Sequence, residues 1–302
     1  MNTRLVVLGP TASGKSDVAM AHASATPGVE IVAVDSMQVY RRMDIGTAKP
    51  TTSDRAAVRH HCIDLADPSD EFAVADFVRA ADAAFADIHL RGGQAVLVAG
   101  TGLYLRSITD PMEMPGRWPA VRASLELRAA AEGSTVLHAE LAVLDPLAAS
   151  RMEPTNERRV VRALEVTLGS GRPFSSFGPG LATYPPVPFV QIGLQWERPV
   201  LAQRIALRVH RMVEAGLVAE VASLLEAPSG MSRTAAQALG YKEIIDHLRG
   251  GCSLDEAIDT VVLRTRQFAV RQERWFRRDP RVRWVHIEHD PVAEVLPVLQ
   301  AS

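Results

Sequence analysis

A phosphate-binding loop near the start of the chain constrains the fold more than any other feature. Residues 9–16 read GPTASGKS, which matches the pattern G-x-x-x-x-G-K-[ST]. The apolar run before it, residues 5–8, predicts a buried strand, and residues 13–23 predict a helix. In this setting backbone N–H groups surround phosphate oxygens, and the helix N-terminus adds partial positive charge. We therefore expect a P-loop that holds a di- or triphosphate group.

Strands alternate with helices on both sides of the loop in the sequence. Apolar runs predict further strands at residues 30–34, 95–99, 189–195 and 284–287. Helical periodicity covers residues 72–90, 200–225 and 254–278. This alternation predicts an α/β fold, a P-loop NTPase-like parallel sheet with helices on both faces.

The pattern changes in the middle of the chain. Residues 111–188 contain no obvious buried strand; helices are expected at 122–131, 137–144 and 158–168, followed by a loop at 175–188 that is rich in Gly and Pro. We therefore expect a P-loop core domain made of residues 1–110 and 189–302. Residues 111–188 are expected to form a mostly helical insertion domain.

The composition excludes several classes of protein. The 302 residues carry a net charge of −2, so any nucleic-acid-binding surface has to be a local one. The two cysteines, Cys62 and Cys252, form no CxxC pair, which excludes a zinc finger and fits a reducing cytoplasm. The sequence predicts neither a signal peptide nor a membrane span, because no apolar stretch of about 18 residues occurs.

Two strand ends carry further candidate site residues. Asp35 follows the strand at 30–34, and Gly100-Thr101-Gly102 follows the strand at 95–99, so both belong at the sheet edge where ligands bind. Asp35 could take a proton from a nucleophile, ligate Mg²⁺ or cap a helix. Thr101 could contact a ligand or belong to an ordinary strand-to-helix turn. The strand at 95–98 lacks the terminal Asp of a Walker B motif, which disfavours an ATPase or GTPase.

Eight sequence blocks together point to one family. They are GPTASGKS at 9–16, DSMQVYR at 35–41, GTAKP at 46–50, AGTGLYL at 99–105, RRVVRALEV at 158–166, GLVAEVASLL at 216–225, ALGYKE at 238–243 and TRQFAVRQERWFR at 265–277. In these blocks, and in their order, the sequence resembles the bacterial tRNA dimethylallyltransferase (isopentenyl-diphosphate:tRNA transferase) family. Relatives in this family often have Gln where this chain has Arg158.

The resemblance implies a reaction and its site residues. A dimethylallyl group would pass from dimethylallyl pyrophosphate to the N6 amine of the adenosine 3′-adjacent to the anticodon. Asp35 would accept a proton from that amine, and Thr101 would contact the bridging oxygen of the donor or the target base. The P-loop motif itself indicates that the Ser16 hydroxyl can ligate Mg²⁺. The donor pyrophosphate would be held by Gly9, Pro10, Thr11, Ala12, Ser13, Gly14, Lys15 and Ser16. Contacts with tRNA are implied for Asp35, Ser36, Met37, Gln38, Thr101, Arg122, Arg158, Arg159, Val160, Val161, Arg162, Gln237, Ala238, Leu239, Gly240, Tyr241 and Lys242.

The partners implied are the anticodon stem-loop of tRNA and dimethylallyl pyrophosphate, for a cytoplasmic monomer that does not bind membranes. The alternative is a P-loop small-molecule kinase, which would share the phosphate loop and the strand-end acid but would consume ATP.

Basic residues are concentrated near the end of the chain. Arg264, Arg271 and Arg278 recur every seven residues on one helical face, interleaved with aromatic residues such as Phe268 and Trp275. The arginines suit phosphate contacts or a solvated face, and the aromatics suit base stacking or a core. The pair Arg158 and Arg162 is expected to point outward from its helix. One further arginine near the start of the helix at 200–225 is expected to reach the pyrophosphate, with three candidates left open: Arg198, Arg204 and Arg208.

Overall fold

The chain divides into two compact units. The computed structural model describes residues 4–178 and 183–301. A core unit comprises Met1–Thr109 and Pro186–Ser302, and a helical unit comprises Asp110–Pro185. Residues 179–182, part of the loop expected at 175–188, lie outside the described residues.

A single parallel sheet organises the core unit. Its strands are β1 Arg4–Leu8, β2 Val29–Val34, β3 His60–His61, β4 Gln94–Ala99, β5 Phe189–Trp196 and β6 Val282–Ile287. The order across the sheet is β3-β2-β4-β1-β5-β6, and every pairing is parallel. The predicted α/β fold with a parallel sheet is thereby confirmed. The order places β4 between β1 and β2, so the segments that follow these three strands emerge side by side.

Helices connect these strands. They are α1 Lys15–Ala25, α2 Thr52–Ala57, α3 Val74–Leu90 and α4 Gly102–Thr109 in the first part of the core unit. In the helical unit they are α5 Pro119–Glu132, α6 Ser134–Leu144, α7 Pro146–Ala149 and α8 Glu157–Ser170, followed by a 3₁₀ turn at Phe174–Ser176. The remaining helices are α9 Arg198–Glu214, α10 Leu217–Glu226, α11 Arg233–Ala236, α12 Tyr241–Leu248, α13 Leu254–Phe276 and α14 Pro291–Gln300.

The single long helix expected at 200–225 is wrong, because the structure divides it into α9 and α10. Gly216 takes a left-handed backbone conformation with a φ of 103° at the start of α10. This conformation suits glycine, which has no Cβ to clash with the following carbonyl. The apolar periodicity continues through the break, and the sequence pattern therefore conceals it.

The two faces of the sheet are both covered. Along β1, Val6 and Leu8 pack into one buried apolar cluster, whereas Val7 packs into a second. This alternation follows from the two-residue period of a strand. The first cluster includes side chains of α3, α10 and α12, and the second includes side chains of α1, α9 and α14. The helical unit has its own apolar cluster, built from α5, α6, α7 and α8.

Candidate active site

The P-loop is held in shape by side chains from the second half of the core unit. Ala12 has a left-handed φ of 62°, and Gly14 has a φ of 93°. Arg204 Nε donates to the Ala12 carbonyl over 2.9 Å, and Trp196 Nε1 donates to the Ser13 carbonyl over the same distance. The Arg204 guanidinium also stacks on the Trp196 ring at 4.4 Å. The loop conformation is therefore stabilised by protein contacts before any phosphate arrives.

Lys15 lies at the start of α1 within this loop. Its Nζ donates to the Pro10 carbonyl over 2.7 Å. Burial, with a smaller effect from the Arg208 charge, lowers the pKa of Lys15 to about 7, while Asp35 acts in the opposite direction. Burial also lowers the pKa of Arg208, again opposed by Asp35 and then Asp17. Lys15 and Arg208 are thus two desolvated cations next to one another, and a bound phosphate anion would stabilise their charged forms.

The structure distinguishes the three arginines that the sequence left open. Arg198 is exposed at the first position of α9. Arg204 binds the P-loop through the Ala12 carbonyl. Arg208 is the one whose charge lowers the pKa of Lys15, and the Asp35 carboxylate acts on the pKa of Arg208 in turn. Arg208 is therefore the candidate for contact with the donor pyrophosphate.

Asp35 and Thr101 lie at the carboxyl ends of the neighbouring strands β2 and β4. The Oδ1 atom of Asp35 accepts from the backbone N–H of Met37 over 2.7 Å and of Gln38 over 3.2 Å. No described residue donates to its Oδ2 atom. The Thr101 hydroxyl accepts from the backbone N–H of Ser36 over 3.2 Å. One carboxylate oxygen thus orders the turn, and the other is available for a proton.

Gln272, to which no role was given from the sequence, joins the two turns of this site. Its Oε1 accepts from the Thr11 N–H over 2.8 Å, and its Nε2 donates to the Gly100 carbonyl over 2.7 Å. A weak signal was present in the sequence, because Gln272 occupies a buried register of α13 between Ala269 and Phe276. A polar residue at a buried helical position needs hydrogen-bond partners.

Similarity to known proteins identifies the family of this chain. The model of a family described as IPP transferase matches residues 38–279, and one described as isopentenyl transferase matches residues 1–69. The chain belongs to the IPP transferase family. A protein of Thermobifida fusca described as tRNA dimethylallyltransferase is 50% identical over 94% of this chain and 90% of its own length. One of Streptomyces coelicolor with the same description is 47% identical over 93% and 89%.

Solved structures agree with this membership of the IPP transferase family. The full-length tRNA isopentenylpyrophosphate transferase of Bacillus halodurans superimposes with a TM-score of 0.70 and 38% identity, over 100% of this chain and 96% of that one. A eukaryotic dimethylallyltransferase solved while acting on tRNA gives a TM-score of 0.78 at 26% identity, over 95% and 74%.

The segment after Asp35 forms a turn that is held by hydrogen bonds from both sides. Ser36, Met37 and Gln38 are half-buried. The Gln38 side-chain amide donates to the carbonyls of Thr47 and Ala48 over 3.0 and 3.2 Å. The GTAKP block at 46–50 thus stabilises the DSMQVYR block at 35–41 through these two hydrogen bonds.

The block at 237–242 has both exposed and buried members. Gln237 and Lys242 are exposed and Leu239 is half-buried, whereas Ala238, Gly240 and Tyr241 are buried. Tyr241 OH donates to Glu220 Oε1 over 2.5 Å. Its ring packs so closely on Gly46 that a Cβ there would lie 2.4 Å from it. In this structure only Gln237, Leu239 and Lys242 present side-chain surface from this block.

The helical unit places its candidate residues in two groups. Arg158 and Arg159 are exposed at the start of α8, and the side chains of Val160 and Val161 lie in the apolar cluster of this unit. Arg162 does not point freely outward as expected. Its Nη1 lies 3.0 Å from Glu165, a buried carboxylate that also pairs with Arg122 at 3.3 Å. The physical reason is that a buried charge requires a partner.

The basic face of α13 is only partly free. Arg264 pairs with the buried Glu243 at 2.5 Å. Arg271 stacks at 5.8 Å on Phe268, and Arg278 stacks at 5.6 Å on Trp275, and both arginines are exposed. The Trp275 ring also packs on α4, since a Cβ on Gly102 would lie 2.0 Å from it. Trp275 therefore packs against the core, whereas the exposed Arg278 remains available for a binding partner.

The described residues contain no group of three or more His, Cys, Asp or Glu side chains that could hold a metal ion. Ser16 is exposed in the first turn of α1, as a P-loop ligand to Mg²⁺ would be. Mg²⁺ commonly keeps several waters and binds through few protein groups together with substrate phosphates. The residues present fit that mode.

In the part of the chain that the structure describes, no helix is both long and apolar enough for a membrane span.

Proposed function

We propose that this chain transfers the dimethylallyl group of dimethylallyl pyrophosphate to the N6 amine of the adenosine 3′-adjacent to the anticodon in tRNA, giving N6-(dimethylallyl)adenosine and pyrophosphate. The observation that carries the proposal is the site at one sheet edge. A P-loop with two desolvated cations, Lys15 and Arg208, adjoins a strand-end carboxylate, Asp35. The relatives described as tRNA dimethylallyltransferases support the substrates.

The chemistry follows from this arrangement. The bond between the allylic carbon and the bridging oxygen breaks, and the leaving pyrophosphate gains charge that the P-loop N–H groups, Lys15 and Arg208 stabilise. The adenine N6 atom forms the new bond to that carbon and loses a proton to Asp35 Oδ2. The N6 amine is a poor nucleophile, so its fixed position near the donor matters for the rate. The target adenosine has to leave its stack to reach the sheet edge.

Magnesium would bind through the Ser16 hydroxyl and the oxygens of the donor. It would supply further charge neutralisation on the departing pyrophosphate.

The segments that bind tRNA are also proposed. Exposed arginines of the helical unit (Arg158, Arg159) and of α13 (Arg271, Arg278) supply positive charge for phosphates, and Gln237 and Lys242 supply polar side chains. We propose that the enzyme works in the cytoplasm as a monomer, and sedimentation of the purified chain would test its state of association.

One assay tests the proposed function. Purified chain is incubated with isotopically labelled dimethylallyl pyrophosphate, Mg²⁺ and unmodified tRNA, with and without ATP, and label in digested tRNA is identified by mass spectrometry. We expect labelled N6-(dimethylallyl)adenosine without ATP. Absence of label from tRNA, together with ATP-dependent phosphorylation of another substrate, would contradict the proposal and favour the kinase.

A further inference from the structure

Gln272 is the side chain that connects the phosphate loop to the turn carrying Thr101. Its single amide group accepts from Thr11 N–H and donates to the Gly100 carbonyl. The residue is only 7% exposed. It comes from α13, which is 172 residues away from Gly100 along the chain. The contact is therefore purely tertiary.

The Gln272 amide restricts the distance between the two backbone groups that it binds. The oxygen and nitrogen of one planar amide are fixed relative to one another, so two bonds of 2.8 and 2.7 Å fix the separation of the two backbone groups. Thr11 belongs to the loop proposed to hold the leaving group. Gly100 directly precedes Thr101, whose hydroxyl accepts from Ser36 N–H beside Asp35.

We propose that Gln272 is a positioning residue, which sets the donor cradle at the correct distance from the acceptor-side turn of Asp35 and Thr101. The inference rests on the proposed function, because it concerns the geometry of that transfer. Gln272 touches neither reacting group in this scheme. Its effect should therefore be found in the chemical step and not in the affinity for tRNA.

A neutral variant tests the first part. Gln272→Met keeps a similar length but removes both hydrogen bonds. We expect the single-turnover transfer rate at saturating substrates to fall by about 10- to 100-fold, since a misplacement of about 1 Å can cost that much. The Kd for tRNA should stay within about threefold, because no exposed arginine changes. Gln94, exposed at the opposite end of β4, supplies the matched control Gln94→Met.

A titratable variant provides a readout that a structural role would not move. In Gln272→Glu the ionised carboxylate still accepts from Thr11 N–H but repels the Gly100 carbonyl. The protonated acid can donate to that carbonyl and restore both bonds. Burial raises the pKa of such a carboxyl, so protonation should occur as pH is lowered from about 8 to about 6. We expect the ratio of its single-turnover rate to that of wild type to rise as pH falls over this range, whereas Gln94→Glu should show a constant ratio.

The outcomes separate this inference from the proposed function. If wild type transfers no dimethylallyl group to tRNA, the proposed function itself is wrong. If wild type is active and folded Gln272→Met retains its rate, the positioning role is wrong. A constant rate ratio for Gln272→Glu overturns it too, and this second test applies even if Gln272→Met does not fold.

Discussion

At the end of β2, the two oxygens of Asp35 lie in different surroundings. Oδ1 is occupied by two backbone N–H groups of the following turn, and Oδ2 receives no hydrogen bond from the described residues. Oδ1 thus holds the backbone turn in place, whereas Oδ2 is available to accept a proton. A substitution that keeps the first oxygen and replaces the second by a group that cannot take a proton tests the proposed role of Asp35 as proton acceptor.

Asp35→Asn is that substitution. Its amide oxygen can still accept from Met37 and Gln38, whereas its nitrogen cannot take a proton. We expect the transfer rate to fall on the order of 10²- to 10⁴-fold, as is usual when a general base is lost. Affinity for tRNA should change only a few-fold. A single-turnover rate within about threefold of wild type, in a folded variant, would show that Asp35 has a different role.

The lowered pKa of Lys15 predicts that pyrophosphate binding is accompanied by proton uptake. Its pKa of about 7 in the free protein means that most molecules have lost this proton at slightly alkaline pH. Bound pyrophosphate stabilises the charged form and raises the pKa, so binding at about pH 8 should take up a proton. Affinity for pyrophosphate through Lys15 should correspondingly fall as pH rises above about 7.

Titration calorimetry in two buffers with different ionisation enthalpies measures this uptake. Wild type should take up more protons than Lys15→Met, by an amount that approaches one per site. The variant corrects for protons exchanged by pyrophosphate itself. Equal proton uptake by the two proteins would mean that Lys15 is already charged before the ligand binds.

At the scale of secondary-structure elements, α10 and α12 together hold the loop at residues 44–46, which precedes α2. The Glu220 carboxylate accepts from three successive backbone N–H groups, those of Asp44 at 3.0 Å, Ile45 at 2.7 Å and Gly46 at 3.2 Å. Tyr241 OH donates to the same carboxylate, and burial followed by the Glu220 charge raises the pKa of Tyr241. The loop continues to the carbonyls that hold Gln38.

Glu220→Ala should lower the free energy of unfolding by about 2–4 kcal/mol, because hydrogen bonds to a charged group are lost and their donors are left without an acceptor. Tyr241→Phe should cost less, about 1–2 kcal/mol. Urea titration of both variants and of the double variant would measure their coupling. The exposed Glu214, substituted by Ala, is the control. A loss below about 0.5 kcal/mol for Glu220→Ala would show that the loop is held by other contacts.

At the scale of the whole molecule, a net charge of −2 means that tRNA binding depends on where the arginines lie. The structure separates exposed arginines from those with structural partners. Arg162 pairs with a buried glutamate, and so does Arg264. Replacing either would disturb the fold, so neither is suited to measure phosphate contacts.

Two double variants are suited to that measurement: Arg158→Gln with Arg159→Gln, and Arg271→Gln with Arg278→Gln. Each should weaken tRNA binding and reduce the slope of log affinity against log salt by about 1–2, since each phosphate contact releases counterions. The control pair is Arg79→Gln and Arg91→Gln, two arginines that already pair with carboxylates on the core unit. If the slopes of both test variants equal that of the control, the phosphate contacts lie on other residues.

The sequence by itself determined the features that depend on local spacing. The P-loop needs residues of the right type within eight positions, and its strand–loop–helix setting follows from nearby apolar patterns. Asp35 and Thr101 could be placed at one edge because parallel strands end together there. By contrast, β3 has two residues, His60–His61, too few to show a period. The break at Gly216 was hidden by apolar periodicity that continues through it.

Only the tertiary structure decided which partners the polar side chains find. Gln272 meets Thr11 from 261 residues away, and Arg204 meets Ala12 from 192 residues away. Nothing in the spacing of Arg198, Arg204 and Arg208 indicates which of them faces the cradle. A buried polar group must satisfy its hydrogen bonds, but the sequence does not state with whom. That choice follows from how helices pack on the sheet, which is set by the apolar core as a whole.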